Sequence, residues 1–290
     1  MAQNDKAVIT AAVGYVFVAN PGTPKPTPAQ LTALDPETFG AQVQTITVTA
    51  DGGQFSAKNT VADTPVNIDF DATPAEVQVA LESLASIGEG NIHVDEAGTL
   101  AGGLDVTFIG ALQGTALSAL TLSASSLTGT TKTATAVIKT APNGWKNIGH
   151  TSRNDMPEFG FDGGDSEIRG SWQNAKLREI VTEQAADYLT MFLHQFDTDS
   201  FELYYGPDAA VNEPGVFGVD GEQHVNERAF LVIVKDGAEK VGFYAAKASV
   251  RRDDAIQMPV DDLASLPIRA TFLKMPGRRI FDWISEKLFR

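Results

Sequence analysis

Carboxylates are the most chemically suggestive groups in this chain. Glu179 and Glu183 are the pair whose spacing could support general acid and base work. On an extended strand four residues set them on one face roughly 13 Å apart, too far for a retaining glycosidase pair and long for an inverting one. Asp197-Thr198-Asp199 and Asp162-Gly163-Gly164-Asp165 could be read as oxygen ligands for calcium, but neither is followed by the glycine and distal glutamate of a calcium loop. Turn and helix-cap roles suit them better. His93, His150, His194 and His224 are too scattered for a zinc centre. No phosphate-binding glycine-lysine loop, Gly-x-Ser-x-Gly elbow or His-Glu-x-x-His pair occurs. The absence of cysteine removes thiolate nucleophiles, thiolate metal sites and disulfides. The expectation is a protein that is not an enzyme and needs neither cofactor nor metal.

The elements that hold these carboxylates divide into two populations. Of 16 Phe, 3 Trp and 5 Tyr, only Phe55, Phe70 and Phe108 lie between Ala41 and Ala141, a Thr/Ala/Gly-rich stretch set inside an aromatic-rich sequence. A length of 290 residues accommodates two cores. The expected organisation is therefore a discontinuous domain, 1–40 with 142–290, carrying an inserted module at 41–141. Both parts are acidic: ten acids face three bases in the module, and the whole chain carries a net charge of −15. That balance argues against gripping nucleic acid through its phosphates; it leaves open a surface that stays near DNA without sticking, beside ordinary solubilising charge. No apolar run approaches the roughly 18 residues of a membrane-spanning helix. Met1 to Lys6 lacks the pattern of a secretory signal, so use in the compartment of synthesis is expected.

Periodicity predicts a mainly β protein. Ala7 to Ala19 reads as a strand buried on both faces, and the Pro-rich run at 23–28 as an extended arm. In the module, Ile46, Val48 and Ala50, the turn Asp51-Gly52-Gly53, and Phe55 with Ala57 form a hairpin pattern. Thr73-Pro74-Ala75-Glu76 is a capping box ahead of a helix with Val77, Ala80, Leu81 and Leu84 on one side. Further strands at 92–94, 104–109, 120–124 and 134–138 make this a small α+β unit. In the outer domain, strands are expected at 158–161, 167–172 and 187–194, a short helix after Asp199, a hairpin through Asp236-Gly237, and a strand at 266–273. Arg279 to Phe289 reads as an amphipathic docking helix with Ile280, Trp283, Ile284 and Leu288 in a stripe.

The outer sequence resembles the major tail tube proteins of long-tailed, non-contractile bacteriophages, especially those infecting actinobacteria. The resemblance is carried by Gly14-Tyr15-Val16-Phe17-Val18-Ala19, the linker at 21–24, Gly144-Trp145-Lys146-Asn147-Ile148-Gly149-His150-Thr151-Ser152, and Glu202-Leu203-Tyr204-Tyr205-Gly206, in that order. The inserted stretch is similar to a small α+β module of phage tail and bacterial surface proteins, through 71–78, Leu81-Glu82-Ser83-Leu84 and Gly90-Asn91-Ile92. The resemblance implies an antiparallel β-sandwich or barrel with a flanking helix, forming hexameric rings that stack into a tube. The tube would hold a tape-measure protein, meet tail terminator and tail-tip proteins, and conduct DNA during ejection, in the virion tail after assembly in the host cytoplasm. It also implies that a hundred-residue addition hangs on the outer wall. Glu167, Glu179, Glu183 and Asp187 are the acids expected to face the lumen. A surface adhesin or receptor-binding protein acting through the module is the alternative.

Overall fold

The computed structural model describes residues 8–207, 215–219 and 225–289. It divides into two compact units, Met1–Ala33 with Ile148–Arg290, and Leu34–Asn147. The second unit thus takes in a few residues on either side of the Thr/Ala/Gly-rich stretch. The first unit begins with β1 (Val13–Ala19), where Val16 and Phe17 point to opposite faces and both are buried. The strand is shorter than expected, because residues 8–12 are exposed. The Pro-rich arm then runs along the sheet. It is held by Gly22 N donating to Ala246 O at 2.8 Å, Tyr244 Oη donating to Thr23 O at 2.8 Å, and a 2.6 Å Lys25–Asp282 ion pair. It ends in α1 (Pro28–Ala33), a helix the periodicity did not reveal. Thr27 and Gln30 cap it reciprocally, Gln30 N to Thr27 Oγ1 and Thr27 N to Gln30 Oε1, with proline at the first helical position. Leu31 is buried against Gly242, where a Cβ would approach it to 3.1 Å.

The second unit contains β2 (Gln42–Thr49), β3 (Gly52–Lys58), β4 (Val66–Asp69), α2 (Pro74–Glu82), β5 (Ile92–Val94), β6 (Leu104–Phe108), β7 (Thr121–Ser123), β8 (Leu127–Thr128), β9 (Thr133–Thr140) and β10 (Lys146–Asn147). One antiparallel sheet runs β5-β6-β2-β9 and a second runs β4-β3-β7, with β8 also on β3. The expected hairpin at Asp51 is corrected here: β2 and β3 lie in different sheets. At Gly53, whose φ is +87°, an added Cβ would fall 2.3 Å from Ser126 O, so the chain turns tightly over the 126–128 segment and crosses between layers. Ile46 and Val48 from one sheet, Phe55 and Ala57 from the other, and Val77 and Leu81 from α2 share one core. The predicted capping box on α2 forms, with Thr73 and Glu76 each accepting from the other's backbone. Inward-facing Gln42 and Gln44 are buried, and each amide makes two bonds to the passing strap at 117–120. Gln42 pairs with Leu117 N and O, and Gln44 with Ser118 O and Leu120 N. These side chains replace a strand partner for the strap, so its buried polar groups are satisfied without a ladder.

The first unit resumes with β11 (Glu158–Asp162), β12 (Ser166–Arg169), β13 (Arg178–Val181), β14 (Ala186–Leu193), α3 (Thr198–Tyr205), β15 (Asn226–Asp236), β16 (Glu239–Arg252), β17 (Leu266–Phe272) and β18 (Phe281–Ile284). Its antiparallel sheet contains the run β1-β15-β16-β17-β14-β11, with β18 also on β16. β11 lies three strands from β16, about 14 Å away in a flat sheet. Yet the Phe159 and Phe243 rings are 4.5 Å apart, and Trp283, Phe281 and Phe272 join them. The sheet therefore curls into a barrel-like wall around Leu189, Met191, Phe230, Val232, Ile268 and Ala270. α3 closes this core through Leu203 and Tyr204. Asp197, not Asp199, caps it by accepting from Ser200 N at 2.9 Å. This is the antiparallel β subunit with a flanking helix that the resemblance implies.

The docking helix is a correction. Residues 281–284 form β18, in register with Gly242–Ala245 of β16. Of the supposed stripe, Ile284 is buried, Ile280 and Trp283 are more than a third exposed, and Leu288 is half-buried after a turn. β17 pairs with β16 only from Ala248 to Arg252, so without β18 the backbone groups on the edge of 242–245 that faces away from β15 would have no strand partner. Satisfying them outweighs the helical spacing of four apolar residues.

Candidate assembly surfaces

The carboxylates of the sequence pattern do not converge. Glu167 is exposed on β12 and holds Arg169 at 3.1 Å, while Glu179 on β13 accepts from Ser166 Oγ. The register places Glu167 opposite Ile180 and Glu179 opposite Ile168, so the two acids occupy opposite faces of a two-stranded ribbon. Glu183 is exposed beside Gly163, beyond the strand on which its spacing from Glu179 was reckoned. Asp187 lies on β14 opposite Phe161 and is half-buried. Among the described residues no group of three or more metal-ligating side chains assembles. His194 Nδ1 instead bonds Ala264 O at 2.9 Å, and His224 lies outside the described residues.

What the chain offers instead is a protruding arm. β11 and β14 form one hairpin limb and β12 and β13 its continuation, but the register slips by one residue between them. Thr182 N and Glu183 N both donate to Asp165 O, at 2.8 and 3.2 Å, which is a bulge that sets two residues against one. Gly163 and Gly164, both at positive φ, supply the other side of the bend. Every residue from 161 to 179 is exposed. Ser166, Ile168, Glu179 and Val181 share one ribbon face, and Ile168, Val181, Leu177 and Trp172 all stand in solvent, Trp172 at 99% exposure. Sequence reasoning assigned strands here but passed over these apolar side chains. Their alternation around the Gly163-Gly164 break was the available signal.

Away from the core of the first unit, the curled sheet is apolar and buried at Phe17, Leu231 and Ile233 but polar and ion-paired toward β14 and β17. Arg269 stacks on Tyr188 at 3.5 Å and pairs with Asp162, and Lys247 pairs with Glu227 at 2.8 Å. Gly160 makes room for this stack, since a Cβ there would lie 2.5 Å from the Tyr188 ring.

The first unit is thus mainly β and carries an extended arm with exposed apolar side chains. A family model described as phage tail tube protein matches residues 1–82 and 115–290. The chain belongs to the phage tail tube protein family. Major tail protein Gp23 of Mycobacterium phage D29 is 38% identical over 292 residues, spanning 100% of this chain and 96% of that protein. Major tail protein Gp23 of Mycobacterium phage L5 is 56% identical over 150 residues, 52% of this chain and 75% of that protein. The resemblance to tail tube proteins of phages with actinobacterial hosts is thereby shown, and the chain is a structural component of a phage tail tube. The idea that the whole hundred-residue stretch is foreign to the family needs correction: the family model also covers 41–82 and 115–141. The unmatched stretch, 83–114, carries β5 and β6, whose Ile92, Val94, Leu104, Val106 and Phe108 fill the core of the second unit.

Proposed function

We propose that the chain closes into hexameric rings that stack into a tube, whose lumen holds the tape-measure protein during assembly and conducts DNA during ejection. The ribbon at 163–184 carries this reading, because an isolated two-stranded hairpin is marginal in water and leaves Ile168, Trp172, Leu177 and Val181 exposed. In the assembled tube these residues press against the next copy. Family membership supports self-assembly, and the resemblance of the sequence supports hexameric rings, tail terminator and tail-tip partners, and assembly in the host cytoplasm before incorporation in the virion. The unit at 34–147 is placed on the outer wall, since a folded module in the bore would obstruct DNA.

Electron microscopy of the concentrated full-length chain tests this directly. Rings and stacked tubes are expected, and Trp172→Ala with Ile168→Asp should leave the fold intact while shortening or abolishing the tubes. Wild-type tubes in the double variant would overturn the ribbon's role, and no rings from the parent chain would overturn the tube reading. Because Glu167 and Glu179 lie on opposite ribbon faces, at most one lines the bore. Single Lys substitutions at Glu167, Glu179, Glu183 and Asp187 in infectious particles identify the lumen face by slowed ejection, and wild-type ejection from all four would remove the acidic-lumen idea.

A further inference from the structure

Asn143-Gly144 is the sole Asn-Gly pair in the sequence, and the structure sets it up for a reaction rather than for a tight hairpin. Both residues are exposed, and Gly144 sits at φ +84°, a conformation glycine adopts without strain. Asn143 Oδ1 accepts from Trp145 N at 3.0 Å, an Asx turn that folds the side-chain amide back over the backbone. Among the described residues Gly144 N–H makes no hydrogen bond, and neither does the Asn143 amide NH2. Nucleophile and leaving group are therefore free while the carbonyl between them is held by a backbone donor.

We propose that Asn143-Gly144 is a site of intramolecular deamidation in the folded subunit. Hydroxide removes the Gly144 amide proton, and the nitrogen attacks Asn143 Cγ to form the N–Cγ bond. The charge that develops on Oδ1 is stabilised by Trp145 N–H, in the manner of a one-donor oxyanion hole. The Cγ–Nδ2 bond then breaks, and the amide leaves as ammonia after taking a proton from water. Water opens the resulting succinimide at either carbonyl, giving aspartate or isoaspartate and one added negative charge. The isoaspartate product inserts a backbone carbon beside Trp145, whose carbonyl is so close to Gly40 that a Cβ there would lie 2.0 Å from it. The conversion therefore marks the age of the subunit and loosens that end of the second unit.

Peptide mass spectrometry of the full-length chain, incubated folded and in urea at the same pH, tests the proposal. The expected result is amide-to-acid conversion at Asn143 in the folded chain at least as fast as in urea. It should rise with hydroxide concentration and precede any change at exposed Asn154 and Asn174. Asn143→Gln, which would need a larger ring, should lose the conversion and the matching ammonia release. Slower conversion in the folded chain than in urea would overturn the proposal, as would prior conversion at Asn154 or Asn174.

Discussion

Asp63 is the carboxylate on which the second unit depends most. It is buried, and its two oxygens accept four hydrogen bonds, from Asn59 N at 3.2 Å, Thr60 N at 2.7 Å, Ser86 N at 3.2 Å and Ser86 Oγ at 2.6 Å. It thereby ties the loop after β3 to the end of α2. The Ser86 hydroxyl, working against the cost of burial and joined by Thr60, lowers its pKa from 3.8 to about 2. Asp63→Asn keeps one acceptor oxygen but turns an NH2 toward backbone donors. Losing one or two charge-assisted bonds costs about 2–4 kcal/mol. The sign of the pH dependence follows from the lowered folded value. Stabilisation by Asp63 is complete above the unfolded value of 3.8 and disappears as pH falls toward about 2, an effect of about 2 kcal/mol by linkage. Urea unfolding of the full-length chain, followed by hydrogen exchange in peptides 59–63 and 84–92, compares parent and variant from pH 7 to pH 2. The variant should be weaker at pH 7 and the gap should narrow below pH 4; other carboxylates are common to both and cancel. Equal stability at pH 7, or a gap that persists undiminished at pH 2, would refute the argument.

Other expectations follow from packing. Ile284→Ala should cost about 2–4 kcal/mol in unfolding free energy, and Leu288→Ala less than about 1 kcal/mol, as a buried strand residue and a half-buried turn residue require. Similar losses at both would restore the amphipathic helix. Gln44→Leu leaves Ser118 O and Leu120 N without their partners and should cost about 2–3 kcal/mol, with exchange protection lost at Leu120. Gly160→Val forces the Tyr188 ring away and should cost about 1–3 kcal/mol in calorimetry, whereas an unchanged melting profile would mean the stack with Arg269 is not rigid.

Much of the fold was legible in local chemistry, and the failures share a cause. Thr73-Pro74-Ala75-Glu76 announced α2 because an apolar stripe follows it. Thr27-Pro28-Ala29-Gln30 carries the same capping grammar but was hidden by the prolines before it and by a helix six residues long with one buried side chain. The Asp236-Gly237 hairpin was readable because β15 and β16 are sequence neighbours that pair directly. The Asp51-Gly52 turn carried the same signal, yet it joins strands of two sheets, a choice made by distant partners such as β6 and β9. The last strand was mistaken for a helix for the same reason, since the vacancy it fills lies some forty residues away on β16. Local pattern names elements well and partners poorly.

The acidic composition illustrates the same limit for function. A net charge of −15 suggested a repelling bore, but charge counts carry no face. On the sheet Asp162 and Glu227 are paired with Arg269 and Lys247, and two of the acids chosen for the lumen, Glu167 and Glu179, fall on opposite faces of one ribbon. Screening over about 8 Å at physiological salt means only acids close to the bore act on a passing phosphate. The single substitutions at Glu167 and Glu179 therefore carry more weight than any change in total charge. If a Lys at one face slows ejection and a Lys at the other does not, the ribbon's orientation in the wall is fixed. If neither does, repulsion by the ribbon acids is not what keeps DNA from the wall.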